Sequence, residues 1–269
     1  MLLQNLCNTK ISTTLQFCLH WVRVTRNSDN LDVDAILELF EGTHADEARD
    51  PNEGLRERKK RQVRQRISDV ATAMFLVHGF DNVTVAQIAA ASEVSQQTVF
   101  NYFTTKESMF FDRSEPMINA VADAVRERGS ASLIEVVVQS IASEIHPGRL
   151  EALDDARQMH LVRRFHEVAT TSPTLVAARF ADLPRFIDQV SIALAQRIGA
   201  DPIDPEVQLA TFVIAGLVEV RVQSAFHNVK QATSFAALNE VIHRDFLKAA
   251  QLAEPSLTAF DMMRDAAHG

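Results

Sequence analysis

The chain is poor in the residues that make turns, crosslinks and membrane spans. Of 269 residues only 8 are Gly and 8 are Pro, a composition that suits long helices with few reversals. The only cysteines, Cys7 and Cys18, cannot supply a four-thiolate metal site, and a disulfide framework is not expected in a chain this long. No run approaches about 18 consecutive apolar residues, and no basic cluster precedes an apolar run at the N-terminus. Neither a spanning helix nor a secretory signal is therefore expected, and the expected location is the cytoplasm, without a membrane partner. No recurrent catalytic motif is found, and neither a metal nor another cofactor is expected.

Basic charge is also scarce overall. The net charge is -8 and the sequence pI is near 5.6, which for the whole chain argues against a phosphate-rich partner. The distribution reverses that inference. Lys and Arg minus Asp and Glu gives −4 for residues 1–50, +2 for 51–113 and −6 for 114–269. The positive segment contains LRERKKRQVRQR, from Leu55 to Arg66, with seven basic residues against one acidic.

Residues 1–54 differ from the rest. Leu15, Phe17, Leu19 and Trp21 alternate as in a strand, while Val33, Ile36, Leu37 and Phe40 are spaced as in a short amphipathic helix. Glu41 to Gly54 is a polar, acidic linker. Two expectations stand side by side: a poorly ordered extension from a start placed too far upstream, or an arm that packs on the body or binds a partner.

From Glu57 a helical period takes over. Val63, Ile67, Val70, Ala71, Met74 and Phe75 fall on one face, and Gly79 marks the stop. Thr84-Val-Ala-Gln87 fits a capping box that opens a second helix ending near Ala91. Ser95 can cap a third, with Val99 and Phe103 on one side. Beyond it the period predicts helices over 105–128, 132–145, 149–170, 173–199, 204–226, 234–253 and 256–266, with Pro184 kinking or splitting the fourth of these near Leu183. No strand is expected after residue 54.

A short helix, a tight turn and a second helix with a polar N-terminus form a helix-turn-helix, whose second helix can enter the DNA major groove. The string from Arg66 to Met109 resembles the DNA-binding domain of the TetR family of transcriptional regulators. Ile67, Ala71, Phe75, Gly79, Thr84, Ile88, Ala89, Val94, Ser95, Val99, Phe100, Phe103, Lys106 and Glu107 carry the resemblance, which covers about residues 58–112. It implies an all-α protein: a three-helix DNA-binding domain at 55–112, then an all-helical ligand-binding and dimerisation domain at 113–269. It further implies a homodimer and a small-molecule effector, whose identity stays open.

Gln96 and Gln97 open the recognition helix, and a glutamine amide can both donate to and accept from adenine N6 and N7, so these two are expected to read bases. The resemblance places Thr98, Asn101, Tyr102 and Lys106 at phosphates, with Thr84 at the N-terminus of the preceding helix. Ser95 caps the recognition helix beside them, and Lys59, Lys60 and Arg61 in the basic run suit phosphate contacts. Val99, Phe100 and Phe103 are expected in the core. Two departures from the family pattern stand out. Phe100 replaces a usual tyrosine and so forfeits a hydroxyl, and Glu93 occupies a turn position that is usually glycine.

Val207 to Val222 is apolar on every side, and such a helix needs cover from its own domain or from another subunit. Given the resemblance, the helices near 204–226 and 234–253 are the expected dimer contact. Arg157, Arg163, Arg164, Arg179 and Arg185, with His160 and His166, either line an anion pocket or sit on solvated faces. His160 and His166 are six residues apart and do not share a helical face, which disfavours a metal. Glu219 and Arg221 interrupt the most apolar helix. The ligand candidates are thus Arg163, His166, Glu219 and Arg221. The leading function is a homodimeric repressor released from a palindromic double-stranded DNA operator by a ligand. Its competitors are a DNA-binding module that recruits a protein without sensing a ligand, and an all-helical enzyme using His160, His166, Asp154 or Asp155.

Overall fold

The computed structural model describes residues 32–34, 36–37, 54–112, 114–127, 129–143, 155–181 and 183–267. The strand-like alternation at Leu15 to Trp21, the Phe40 position, nearly all of the acidic linker and Asp154 lie outside them. Among the described residues the regular elements are all helical. The helices are α1 (Leu55–His78), α2 (Val85–Ala91), α3 (Gln96–Tyr102), α4 (Lys106–Phe110), α5 (Ser114–Glu127), α6 (Leu133–Ser143), α7 (Asp155–Thr171), α8 (Pro173–Ala178), α9 (Leu183–Ile198), α10 (Pro205–Asn228) and α11 (Phe235–Ala267). Val33, Asp34, Ile36 and Leu37 are helical as well, and Ile36 is fully buried, as an apolar position in an amphipathic turn requires.

The chain divides into two compact units. The described residues of one lie within 32–37, 54–112 and 155–179. Its core collects the apolar stripe of α1, including Ile67, Ala71 and Phe75, together with Phe80, Val83, Ile88, Val99, Phe103, Met109 and Phe110, all buried. The ring of Phe75 lies 4.9 Å from Phe80 and 6.1 Å from Phe110, and Phe110 stacks on Phe165 of α7 at 4.5 Å. The helices α7 and α8 therefore pack with the first four. Arg164 donates from Nε to the Leu76 carbonyl at 2.6 Å, satisfying a backbone acceptor left open at the end of α1, and Ser172 donates to Asp81 at 3.0 Å.

The described residues of the second unit lie within 114–143 and 180–267. Its core is built from Val121, Val125, Leu133, Val137, Ile141, Phe186, Val190, Leu194, Val207, Ile214, Phe246, Leu257 and Phe260 on α5, α6, α9, α10 and α11. The helices α10 and α11 form an antiparallel pair, in which Ser224 of α10 donates to Asp245 of α11 at 2.7 Å. That hydrogen bond is the first cause of the Asp245 carboxyl's shift below its usual range.

Two segments differ from the periodic pattern, and one expected break is present. The 105–128 segment is two helices, because the chain leaves α4 at Phe111 and Asp112 pairs with Arg64 on α1. The 173–199 segment splits as Pro184 predicts, into α8 and α9. The segments 234–253 and 256–266 are one helix running through Pro255. The proline lacks an N–H to donate back along the helix, a cost of about 3 kcal/mol, which the burial of Leu257 and Phe260 one turn further on offsets. The helix expected from residue 149 is described only from Asp155.

Candidate DNA-recognition site

Local sequence determines how α2 and α3 are held. Thr84 accepts from the Gln87 backbone N–H at 3.3 Å, and the Gln87 side-chain oxygen accepts from the Thr84 N–H at 2.8 Å, closing the capping box. Ser95 Oγ accepts from the Thr98 N–H at 3.0 Å and caps α3. Val99 and Phe103 fix the inner face of α3 in the core, and the Arg64 guanidinium covers the Phe103 ring at 4.5 Å while donating to the Tyr102 carbonyl at 2.9 Å.

The turn between α2 and α3 passes through Glu93, whose φ of 57° lies in the left-handed region. That backbone favours glycine, and a side chain there costs about 1 kcal/mol. The Glu93 carboxylate sits 3.3 Å from Arg66, an exposed pair of small value. Glu93→Gly is therefore expected to raise the stability of this unit by about 0.5–1 kcal/mol, read as a higher melting temperature. An unchanged or lower one would show that the turn is not strained.

The outer face of α3 carries Gln96, Gln97, Phe100 and Asn101, all exposed. The Gln97 amide donates to Asn101 Oδ1 at 3.2 Å, while Thr98 Oγ1 and Ser95 Oγ are 2.8 Å apart. Tyr102 and Thr98 are half-buried, and Thr84 and Ser95 are exposed. Phe100 corrects an expectation: it is 49% exposed and does not join Val99 and Phe103 in the core. The three share a broad arc of the helix, but Phe100 lies at its outer edge and is left exposed. Lys59, Lys60 and Arg61 are exposed on the first turns of α1.

Lys106 has a role that sequence reasoning missed. Its ammonium donates to the carbonyls of Phe80 and Val83, each at 3.0 Å, and lies 4.0 Å from the centre of the Phe80 ring. The side chain thus closes the loop between α1 and α2. Arg164 is likewise committed, to α1, and is not a free lining residue of an anion pocket.

The ligand candidates fall in two places. Arg163 and His166 are on α7, exposed and buried respectively, and Glu219 and Arg221 are on α10 in the other unit. Arg221 is buried and donates to the Ile141 carbonyl. Burial lowers its pKa from the ordinary range to about 9. His243 is pushed down by its own burial and by the positive charge of Arg221.

A short helix, a tight turn and a second helix with a solvent-facing, polar N-terminal turn define a helix-turn-helix DNA-binding unit. Residues 67–112 match the family model of the bacterial regulatory proteins of the tetR family. The chain is similar to the HTH-type transcriptional regulator TcmR of Streptomyces glaucescens, with 29% identity over 175 residues, covering 62% of this chain and 76% of that protein. It is also similar to the putative mycofactocin biosynthesis transcriptional regulator MftR of Mycobacterium tuberculosis, with 36% identity over 59 residues, 22% of this chain and 30% of that protein. Residues 67–112 are thus similar to the DNA-binding domain of that family, and the chain is a DNA-binding transcriptional regulator.

Proposed function

We propose that this chain is a homodimeric repressor that leaves a palindromic operator when a small molecule binds. The observation that carries the DNA half is the exposed arc of Gln96, Gln97, Phe100 and Asn101 on a helix fixed from behind by buried Val99 and Phe103. In this reading Gln96 and Gln97 contact base edges, and Thr84, Ser95, Thr98, Asn101 and Tyr102 contact phosphates and set register. Lys59, Lys60 and Arg61 add long-range attraction. An ammonium has three donors, and two of those of Lys106 go to carbonyls, so the third is offered to a phosphate. Residues 55–112 bind DNA, 113–269 hold the ligand and dimer functions, and 1–54 are an extension to both.

Dimerisation is supported by α10. Val207, Ala210, Ile214, Leu217 and Arg221 face inward, whereas Leu209, Phe212, Gly216 and Val220 form an exposed, largely apolar stripe at helical spacing. A Cβ built on Gly216 meets nothing within 4 Å, so a second helix can approach there closely. α10 is also long and apolar enough to cross a membrane by length and composition. Its inward face is part of a protein core and contains a buried arginine, which disfavours a membrane span. Glu219 and Arg221 are the effector candidates of one unit, and Arg163 and His166 are, separately, those of the other. No catalytic role is assigned to any residue.

The test is selection of bound sequences from random double-stranded DNA by the full chain. A dimeric repressor enriches a palindrome with half-sites about one helical turn apart, and its affinity falls steeply with salt. Enrichment of an asymmetric site, or of none, would overturn the dimeric operator reading.

A further inference from the structure

An exposed phenylalanine among amides has a chemical consequence on a DNA-reading face. Phe100 is 49% exposed, and at 100° per residue it lies around the α3 axis between Gln96 and Gln97. Its exposed neighbours Gln96, Gln97 and Asn101 are all polar, so it belongs to no apolar surface of its own. The phenyl ring has no donor or acceptor and cannot hold a phosphate oxygen by a hydrogen bond. In the major groove the apolar feature presented by the base edges is the C5-methyl of thymine.

We infer that Phe100 is a specificity-determining residue that packs on the C5-methyl group of a thymine in each half-site. The inference rests on the DNA-binding reading of the outer face of α3. A rise of about 1.5 Å per residue puts Phe100 about 6 Å along α3 from Gln96 and about 4.5 Å from Gln97. The thymine accordingly lies one or two base steps from the base pairs read by the two amides. The contact is non-polar and leaves the salt dependence of binding unchanged. Phe100 also disfavours cytosine at that pair, which carries only hydrogen at C5 and presents an amino donor at C4 where thymine has a carbonyl.

The experiment uses the full chain and the best sequence enriched from random DNA, with each thymine replaced in turn by deoxyuracil, which removes only the methyl group. For the unaltered protein, one position per half-site is expected to weaken binding by about three- to ten-fold. The same replacement is expected to be silent on Phe100→Ala, while Phe100→Tyr, which keeps the ring, retains the effect. Circular dichroism and melting of both variants establish that they fold, as substitution of a half-exposed residue should allow. A methyl effect that survives in Phe100→Ala, or a site with no methyl effect at all, would overturn the inference while leaving a palindromic site and the repressor reading intact. An asymmetric enriched site would overturn the dimeric operator and still test the methyl contact by the same replacements. Failure to enrich any sequence would overturn both.

Discussion

Replacing Phe75 by Ala is expected to destabilise the DNA-binding unit by about 3–5 kcal/mol and to abolish operator binding near physiological temperature. The ring is fully buried and lies within 4.9 Å of Phe80 and 6.1 Å of Phe110. Phe80 and Phe110 are themselves 6.2 Å apart, edge to face, so three rings from α1, the following loop and α4 meet in one cluster. Deleting one leaves a void among side chains fixed by helices on several sides, where collapse is limited and the cost approaches the upper end of the range. A loss of several kcal/mol is a large fraction of the stability of an ordinary domain. Urea unfolding followed by circular dichroism would measure it. A midpoint within experimental error of the unaltered protein would show that Phe75 is not the centre of this core.

The parts of this fold that were legible in the sequence are those set by a few neighbouring residues. The Thr84 capping box, the Ser95 cap, the Gly79 stop and the Pro184 break each depend on contacts within about one helical turn, and each is present. Glu93 was legible as a departure from glycine, and its left-handed backbone follows from the tightness of the turn. What failed depends on residues distant in the chain. Arg164 reaches Leu76 across 88 residues, and no local period announces that α7 and α8 join the DNA-binding unit. Where the period expected an unbroken 105–128 helix, Asp112 pairs with Arg64, 48 residues away.

Phe100 illustrates the same limit inside a single helix. A period of 3.6 groups it with Gln96 and Phe103, but it cannot say which edge of that arc the neighbouring helices cover. Packing of α3 on Val99 and Phe103 turns Phe100 outward, and only then does its lack of a hydroxyl become informative. The outward turn also makes Gln96, Gln97 and Phe100 one contiguous surface, so base readout by amides and by a phenyl ring belongs to one helical face.

Lys106→Met is expected to lower the stability of the DNA-binding unit by about 2 kcal/mol. Methionine keeps an unbranched stem but removes the ammonium that donates to Phe80 and Val83 and lies over the Phe80 ring. Hydrogen bonds to a charged group contribute about 1.5–3 kcal/mol each, and the half-buried position of this side chain screens part of that. The two carbonyls belong to the loop that delivers the chain from α1 into Thr84, so their loss loosens the entry to the helix-turn-helix. A phosphate contact alone has a different signature, in which melting is unchanged and the salt dependence of binding becomes shallower by about one ion per subunit. Because the third N–H is assigned to a phosphate, both changes are expected together in Lys106→Met. Melting measured without DNA and binding measured across a salt series separate them: an unchanged melting temperature would remove the loop-closing role, and an unchanged salt slope would remove the phosphate contact.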